Sequence, residues 1–217
     1  GQHDTVGDVE PEIGEFVLVK FIFDGYILPA ATLRPETIFG VTNIWLNPDA
    51  NYVRAKVNDE NWIVSKESLV KLGFLNRKVE EIEEIKGSHL IGKWTENPLT
   101  GLKVLILPAS FVDPKNATGI VMSVPGHAPY DYQALEDLKK RSEELAIYNM
   151  EPNLLESITP ISIIELEGYS DLPAFDVIKK LGIKSQDDPK LEEATAEVYS
   201  KEFHSGLMKA NTMHYSG

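Results

Sequence analysis

The sequence predicts an α+β fold, with a mixed β-barrel core and peripheral helices. Short apolar segments, most of them bounded by Gly, Pro, Asn or Asp, surround two polar motifs in the first part of the chain. Helical spacing of apolar residues follows the second motif and recurs towards the end. We expect all 217 residues to form a single domain, with residues 1–12 as a linker and residues 188–211 as a C-terminal helical segment.

The predicted strands are short runs of β-branched, aromatic and other apolar residues between turn signals. They are residues 16–23, 26–28, 41–46, 52–57, 61–65, 78–86, 103–108, 120–124 and 158–166. Asp24-Gly25 predicts a tight turn between the first two strands. Residues 78–86 are compatible with a helix as well, because single apolar residues alternate with several charges there; we prefer an edge strand.

The predicted helices rest on capping signals and apolar spacing. They are residues 66–72, residues 130–145, a third helix that begins within residues 171–174 and reaches residue 181, and residues 190–209. Ser65 is the expected N-cap of the first helix and Gly73 its end, and Gly182 is expected to end the third. The expected inner face of the last helix consists of Leu191, Ala194, Val198, Phe203 and Leu207.

The first polar motif is Thr32–Thr37, with the sequence Thr-Leu-Arg-Pro-Glu-Thr, which lies between two apolar runs. Pro35 fixes its own φ, removes one backbone donor and pushes Arg34 towards an extended conformation. The polar side chains are therefore expected to leave the sheet at a defined kink. The structural alternative is an ordinary polar strand connection with a proline turn.

The second motif, Ala117–Tyr132, predicts a strand that begins after Gly119, a Pro-Gly turn, and a helix that starts near Pro129. This order places His127 just past a strand end and Asp131 in the first turn of a helix. Unpaired backbone N–H groups and loop side chains commonly build functional sites at such positions.

Together, the two motifs resemble the editing domain of leucyl-tRNA synthetases, the connective-peptide insertion of that class I enzyme; related insertions occur in the isoleucyl and valyl enzymes. The run Ser123–Asp131 and the tail Tyr199–Met208 are most similar to the archaeal and eukaryotic branch. The resemblance covers essentially the whole chain and implies the Val/Ile/Leu class I editing-domain fold.

The resemblance implies an aminoacyl-tRNA deacylase that hydrolyses the ester of tRNA(Leu) mischarged with isoleucine, methionine or norvaline-like amino acids and spares Leu-tRNA(Leu). One methylene is worth only about 1–3 kcal/mol in an apolar pocket, so a second sieve must remove the errors. Two alternatives stay open. One is an isoleucyl or valyl editing domain or a free-standing editing hydrolase; the other is a non-catalytic insertion that docks the acceptor end.

The resemblance assigns catalytic roles to Asp131, Thr32 and Thr37. Asp131 would pair with the substrate ammonium as a binding group; alternatively, it only offsets the helix macrodipole. Thr32 would lie beside the attacking water and Thr37 would sterically exclude leucine, whereas by composition both are ordinary strand residues.

Four further residues are expected to bind substrate. Arg34 can form charge-assisted bonds to a terminal phosphate, or a salt bridge to Glu36 instead. Met122 and Val124 would line the side-chain pocket, although by sequence alone they are core residues. His127 could donate to the ribose or the ester, or be a solvated loop residue.

Two positions depart from the family pattern. Leu33 stands where bacterial members have a second Thr, so that hydroxyl is absent. Ala117 replaces the Gly that often precedes Thr-Gly in the second motif, which puts the flexibility of that turn in doubt.

The chain has 21 Lys and Arg against 34 Asp and Glu, a net charge of −13, which is the wrong sign for a free-standing nucleic-acid binder. The remainder of a parent synthetase would therefore supply most phosphate contacts, and only the 3′ aminoacyl end of tRNA(Leu) would enter. We expect the isolated domain to be monomeric and to bind tRNA weakly.

The residue content excludes several kinds of chemistry. With no cysteine, disulfides and thiolate catalysis are excluded, and the five histidines lack zinc-ligand spacing. No motif for a serine nucleophile or a nucleotide-binding loop occurs. We therefore expect metal-independent hydrolysis without a cofactor, with ATP and Mg used only by the parent synthetase domain. Neither a membrane span nor a signal peptide is expected, which favours the cytoplasm.

Overall fold

A computed structural model describes residues 9–11, 16–75 and 77–215. The described residues divide into two compact units. Unit 1 is the described part of Gly1–Ile38 together with Asn43–Met122, and unit 2 is Phe39–Thr42 together with the described part of Ser123–Gly217. Whether the two units constitute the single predicted domain stays a prediction.

The main sheet contains ten strands and explains the predicted barrel. They are β1 (Val9–Pro11), β2 (Val17–Phe23), β3 (Tyr26–Thr32), β4 (Asn43–Leu46), β5 (Asn51–Val57), β6 (Glu60–Ser65), β7 (Val79–Lys86), β8 (Trp94–Glu96), β9 (Lys103–Pro108) and β10 (Ile120–Ser123). The order is β1-β2-β8-β9-β4-β10-β3-β6-β5-β7, and β2 also pairs with β3. This second pairing closes six strands into a barrel. Parallel and antiparallel pairs coexist, so the mixed β-barrel prediction is confirmed.

The β2–β3 hairpin places the start of the first motif. Its turn residues Asp24 and Gly25 have φ of 47° and 79°, as a two-residue turn of this hand requires. The register pairs Val17 with Thr32, so β3 runs four residues beyond the predicted end at Leu28. Pro29 lacks a donor, but its carbonyl accepts a hydrogen bond from the Thr118 hydroxyl at 2.6 Å, and the strand continues through it.

The core of unit 1 is formed by side chains from the sheet and from helix α1 (Lys66–Phe74). The buried cluster consists of Leu18, Ala31, Val53, Ala55, Val57, Trp62, Val64, Leu69 and Leu72. Each fully buried aliphatic or aromatic side chain contributes about 1.5–3 kcal/mol through removal from water. The cluster therefore anchors β3, which leads into the first motif.

Helix α1 confirms one capping prediction and corrects another. Ser65 is the N-cap, and its hydroxyl accepts from the Ser68 N–H at 3.2 Å. Gly73 does not end the helix, which continues to Phe74 and closes with the Leu75 N–H on Leu72 O. Gly73 has no left-handed φ here, so it is not used as a terminating residue.

Several strand predictions were tested by pairing. Residues 79–86 form strand β7 beside β5, which confirms the edge-strand prediction. Strand β8 was missed because three residues without clear alternation carry little signal; it is held by β9 and by the Thr95 hydroxyl on Ile22 O at 2.8 Å. Residues 9–11 of the predicted linker form β1 against β2. The rest of that linker lies outside the described residues.

Unit 2 is mainly helical. Its helices are α2 (Pro129–Lys140), α3 (Pro152–Glu156), α4 (Pro173–Leu181) and α5 (Lys190–Ser205), and its strands are β11 (Ile164–Glu165) and β12 (Leu207–Met208). 3-10 helices span Ser142–Tyr148 and Ala210–Tyr215. The helical core consists of Val177, Ile178, Ile183, Leu191, Ala194 and Val198. Gly182 ends α4 in the left-handed conformation, as predicted.

The structure corrects three predictions in unit 2. The helix expected to reach residue 145 ends at Lys140 and gives way to the 3-10 helix. The strand expected over residues 158–166 is only β11, because its partner β12 supplies just two paired residues. Helix α5 ends at Ser205, since Gly206 turns extended and β12 follows.

The inner face of α5 is also partly corrected. Leu191, Ala194 and Val198 are fully buried as predicted, but Phe203 and Leu207 are 75% and 59% exposed. Glu202 is buried in their place, at the position that continues the spacing of 194 and 198. Among the described residues no helix has the length and apolar character needed to cross a bilayer.

Candidate active site

Hydrogen bonds of two threonine hydroxyls within the first motif stabilise its conformation. Thr32 Oγ1 accepts from the Arg34 N–H at 3.0 Å, and Thr37 Oγ1 donates to the Arg34 carbonyl at 2.7 Å. The Thr37 N–H donates to the same carbonyl at 3.0 Å. The expected kink is therefore present: β3 ends at Thr32, and a 3-10 helix spans Pro35–Gly40.

The hydroxyl groups of Thr32 and Thr37 differ in their remaining hydrogen-bonding capacity. Thr37 is buried, with 3% of its surface exposed, and its only hydroxyl hydrogen is committed to Arg34 O. Thr32 is half-buried and uses its oxygen as an acceptor, and its hydroxyl hydrogen has no protein acceptor in the described part of the chain. Thr32 therefore keeps a hydroxyl hydrogen that it can donate, whereas the hydroxyl hydrogen of Thr37 is used; that either residue meets a ligand stays a prediction.

Arg34 forms a salt bridge with Glu36, which is the structural alternative to phosphate binding. Its Nε lies 3.2 Å from Glu36 Oε1, and the arginine side chain is 15% exposed. A guanidinium carries five N–H donors, so this pair uses part of its capacity. The phosphate-binding role stays a prediction.

A buried amide supports the 3-10 helix from outside the motif. Asn97 Nδ2 donates to the Ile38 carbonyl at 2.9 Å, and Asn97 is 2% exposed. This residue could not be recognised from the sequence, because its polar side chain gave no sign of burial. It fixes the end of the segment that carries Thr37.

The turn before β10 is held by buried hydrogen bonds. Tyr52 Oη donates to Gly119 O at 2.6 Å and accepts from the Asn47 N–H at 3.1 Å. Burial is the largest cause that raises the pKa of Tyr52 well above its ordinary value, so the phenol stays neutral and keeps donating. Ala117 adopts a left-handed φ of 48°. The departure from Gly at this position therefore falls where the backbone favours glycine.

Met122 is buried in β10, whose Val121 pairs with Ala31, the residue before Thr32. The contribution of Met122 to a side-chain pocket stays a prediction, since burial alone is equally compatible with a core role.

Asp131 lies in the first turn of α2, and its carboxylate is hydrogen-bonded. Oδ2 accepts from the Val124 N–H at 2.8 Å, and the residue is 9% exposed. The backbone N–H groups of His127 and Ala128 in turn donate to Val124 O at 3.1 and 2.9 Å. A negative charge is stabilised here by the turn N–H and by the N-terminal end of the helix. Asp131 thus makes a structural bond at a position where a carboxylate charge is favoured.

Val124 is buried, and within unit 2 it packs beside Phe39–Thr42, the segment that follows the first motif. A Cβ added at Gly40 would lie 3.0 Å from Val124 Cγ1 and 3.2 Å from Ile163 Cδ1. The Thr42 N–H donates to Ser123 O at 3.0 Å. Residue 40 must therefore be small for Val124 to keep its place.

His127 is fully buried rather than solvated, and both its ring nitrogens bond to protein atoms. Nδ1 lies 2.6 Å from Glu202 Oε1, and both side chains have no exposed surface. Nε2 accepts from the Ile163 N–H at 2.9 Å. Donation from His127 to a ribose or ester would require one of these bonds to break.

Glu202 is a second residue of this site that could not be recognised from the sequence. It is separated from His127 by 75 positions, and an acid in a charged helix is ordinarily solvated. The one available signal was its spacing, four residues after Val198 on the inner face of α5.

The tyrosines beside Asp131 are not candidate anions. Burial first, and Glu192 second, raises the pKa of Tyr130; burial first, and Glu136 second, raises the pKa of Tyr132. Both phenols therefore stay neutral near pH 7, and Asp131 is the charged group of this helix turn that is expected to meet a substrate.

The predicted site residues fall into two groups. Thr32, Arg34, Thr37 and Met122 belong to unit 1, and Val124, His127 and Asp131 belong to unit 2. Within each group the structure joins the members by hydrogen bonds or strand pairing, as described above. That the two groups serve one reaction stays a prediction.

Comparison with known proteins identifies the family. A family model described as leucyl-tRNA synthetase, editing domain, matches residues 17–139. The leucine–tRNA ligase of Pyrococcus abyssi is 54% identical over 96% of this chain, and that of Methanococcoides burtonii is 50% identical over 99%. The chain spans 22% of the length of each of these relatives.

Solved structures agree. The crystal structure of GlLeuRS-CP1 superposes with a TM-score of 0.81 and 29% identity, covering 94% of this chain and 89% of that one. The editing domain of the Plasmodium falciparum cytosolic leucyl-tRNA synthetase gives a TM-score of 0.79 and 25% identity, covering 89% of this chain and 73% of that one. With the closed mixed barrel and the two motifs in place, this chain belongs to the editing-domain family of the leucyl-tRNA synthetases.

Proposed function

We propose that this chain hydrolyses the ester of tRNA(Leu) mischarged with isoleucine, methionine or norvaline-like amino acids and spares Leu-tRNA(Leu). The observation that carries the proposal is the carboxylate of Asp131, held nearly buried in the first turn of α2 by the Val124 N–H. An aminoacyl ester presents a free ammonium, and a poorly solvated carboxylate is a strong partner for it.

In the proposed reaction, water attacks the ester carbonyl carbon and the ribose oxygen leaves with a proton, which yields free amino acid and tRNA. Asp131 fixes the ammonium. The Thr32 hydroxyl donates to the carbonyl oxygen or orients the water, since its hydrogen is not used within the described chain. The protein contributes positioning and electrostatics rather than a nucleophile, and the reaction needs no metal and no cofactor.

The remaining residues select the substrate. Arg34 binds the terminal phosphate, with Glu36 holding its guanidinium. Met122 and Val124 contribute apolar surface for the amino-acid side chain. His127 positions the turn that leads to Asp131, a role that agrees with its two protein bonds.

The proposed setting is a larger cytoplasmic synthetase that acts on tRNA(Leu) and whose other parts use ATP and Mg. The net charge of −13 makes the chain a weak binder of nucleic acid by itself, so the parent supplies most phosphate contacts. The isolated chain is expected to be a monomer. Nanomolar affinity of the isolated chain for tRNA, measured by gel shift at physiological salt, would contradict the proposal that the parent supplies most phosphate contacts.

The deciding experiment is single-turnover deacylation with the chain in excess, which offsets weak binding. The substrates are tRNA(Leu) charged with isoleucine, methionine, norvaline or leucine, each with and without a chelator. We expect loss of the first three esters, survival of the leucyl ester and no effect of the chelator. Preferential cleavage of Val-tRNA(Ile) or Thr-tRNA(Val) would favour the isoleucyl or valyl alternative. Binding of the aminoacyl end without turnover would favour a docking module.

Substitutions of Thr37 test its proposed role as the leucine gate. We expect Thr37→Ala and Thr37→Ser to raise hydrolysis of Leu-tRNA(Leu) by about 10- to 200-fold, because each removes bulk from a buried position. Thr37→Val keeps the bulk and removes only the bond to Arg34 O, so leucine should stay excluded. Leucine hydrolysis by the valine variant, measured in the same assay, would show that the hydrogen-bonded turn rather than the methyl group forms the gate.

A further inference from the structure

His127 and Glu202 form a buried pair that no substrate contact explains. Their side chains are separated by 2.6 Å and have no exposed surface. They join the turn between β10 and α2 to the last helical turn of α5, and both belong to unit 2. Burial of a carboxyl group costs free energy unless the group is hydrogen-bonded. Glu202 and His127 must therefore stay within hydrogen-bonding distance of each other.

The second ring nitrogen determines which tautomer His127 adopts. The Ile163 N–H can only donate, and it points at Nε2 from 2.9 Å. Nε2 therefore carries the lone pair, and the ring proton lies on Nδ1, from which it is donated to Glu202 Oε1. Glu202 thus accepts the proton that this tautomer places on Nδ1 and holds the imidazole in one orientation, as outer partners do for other functional histidines.

The same contacts continue to Asp131. The His127 N–H donates to Val124 O at 3.1 Å, and the Val124 N–H donates to Asp131 Oδ2 at 2.8 Å. On the other side, Ile163 O accepts from the Lys209 N–H at 2.8 Å, beyond the end of α5. Glu202 is therefore linked through His127 and one turn of backbone to the carboxylate of Asp131.

We propose that Glu202 is a positioning residue for ester hydrolysis: by holding the Nδ1–H of His127, it sets the turn that aims Asp131 at the substrate ammonium. This inference rests on the proposed function. A displacement of about 1 Å at a reacting centre can cost about 10²-fold in rate, which sets the size of the expected effect.

The first measurement is spectroscopic and needs no substrate. Long-range ¹⁵N–¹H correlation of the histidine rings in the full chain, with the His127 signals identified by their absence in His127→Gln, reports the tautomer directly. We expect Nδ1–H in the unmutated chain and in Glu202→Gln, whose amide oxygen still accepts. Glu202→Ala should keep this tautomer, because the Ile163 N–H still donates to Nε2, but should lose the downfield shift and slow solvent exchange of the hydrogen-bonded Nδ1 proton. An unchanged Nδ1 proton signal in Glu202→Ala would overturn the inference.

The second measurement is single-turnover hydrolysis of Ile-tRNA(Leu) at increasing chain concentration. Glu202→Ala should lower the saturating rate by about 10²-fold with little change in the concentration that gives half saturation, and Glu202→Gln should restore most of the rate. Val198→Ala is the matched control, because it weakens the same helix from a fully buried position one turn earlier. Equal rate losses in Val198→Ala and Glu202→Ala would reduce Glu202 to a stabilising residue and overturn the inference.

The two proposals fail in different ways. No hydrolysis by the unmutated chain would overturn the proposed function and, with it, any positioning role. Normal hydrolysis by both the unmutated chain and Glu202→Ala would leave the proposed function standing and overturn the role of Glu202 alone.

Discussion

Asp131→Asn is expected to reduce single-turnover hydrolysis of Ile-tRNA(Leu) by about 30- to 5,000-fold. Loss of one charged partner from a poorly solvated, hydrogen-bonded charge pair costs about 2–5 kcal/mol, and Asp131 is 9% exposed. Asparagine retains an oxygen that can accept from the Val124 N–H, so the turn should persist. The effect would therefore isolate the charge that pairs with the ammonium.

Comparison of Asp131→Ala with Asp131→Asn measures the contribution of Asp131 to stability separately from its contribution to hydrolysis. Asp131→Ala removes the charge and also leaves the Val124 N–H without its carboxylate partner, which should lower the free energy of unfolding by about 1–3 kcal/mol. Hydrolysis should fall at least as far as in Asp131→Asn. Urea denaturation of both variants, beside the kinetics, distinguishes the two losses.

Asp176→Asn is the matched control for this prediction. Asp176 also lies in the first turn of a helix, α4, and its carboxylate also accepts a backbone N–H, that of Ser170 at 2.6 Å. Because no substrate role is proposed there, its replacement should leave the rate unchanged. Full activity of Asp131→Asn would show that Asp131 serves only the turn.

Sequence reasoning succeeded where local chemistry decides the structure. The Asp24-Gly25 turn, the Ser65 cap and the end of α4 at Gly182 follow from single residues and their φ preferences. The kink of the first motif is equally local, because the bonds of Thr32 and Thr37 to Arg34 span two and three positions.

The failures depend on distant partners. Strand β3 reaches Thr32 because β2 pairs along its whole length, and Pro29 is accepted there through a bond from Thr118, 89 positions away. Glu202 is buried because His127 meets it from another part of the chain. No window of sequence contains both members of either pair, so propensity and periodicity describe only one side of each contact.

The prediction with the largest expected effect on stability concerns Gly119, at the start of β10. Its φ is +73°, and an added Cβ would lie 2.6 Å from Ser65 Cβ. Ser65 has little freedom to withdraw, since its hydroxyl caps α1 and donates to Pro114 O at 2.6 Å. Gly119→Ala should therefore lower the free energy of unfolding by about 2–5 kcal/mol, which combines a left-handed alanine with overpacking.

Gly101→Ala is the control that measures how much of this loss in unfolding free energy comes from the left-handed backbone alone. Gly101 has nearly the same φ, +71°, but no atom lies within 4 Å of the added Cβ. Its replacement should cost only about 1–2 kcal/mol. The difference between the two variants in urea denaturation measures the steric conflict with Ser65. Equal losses would mean that Ser65 can move, and that the turn before β10 is less tightly packed than its contacts indicate.

Ala117→Gly should change stability in the opposite direction. Ala117 adopts φ +48°, two residues before Gly119. Relief of the left-handed strain should raise the free energy of unfolding by about 0.5–1 kcal/mol, reduced by the entropy that glycine adds to the unfolded chain. A gain at residue 117 and a loss at residue 119 would show that backbone strain dominates at the first position and steric conflict with Ser65 at the second. If Ala117→Gly destabilised the chain instead, the contact of the alanine methyl with the barrel core would outweigh the backbone strain.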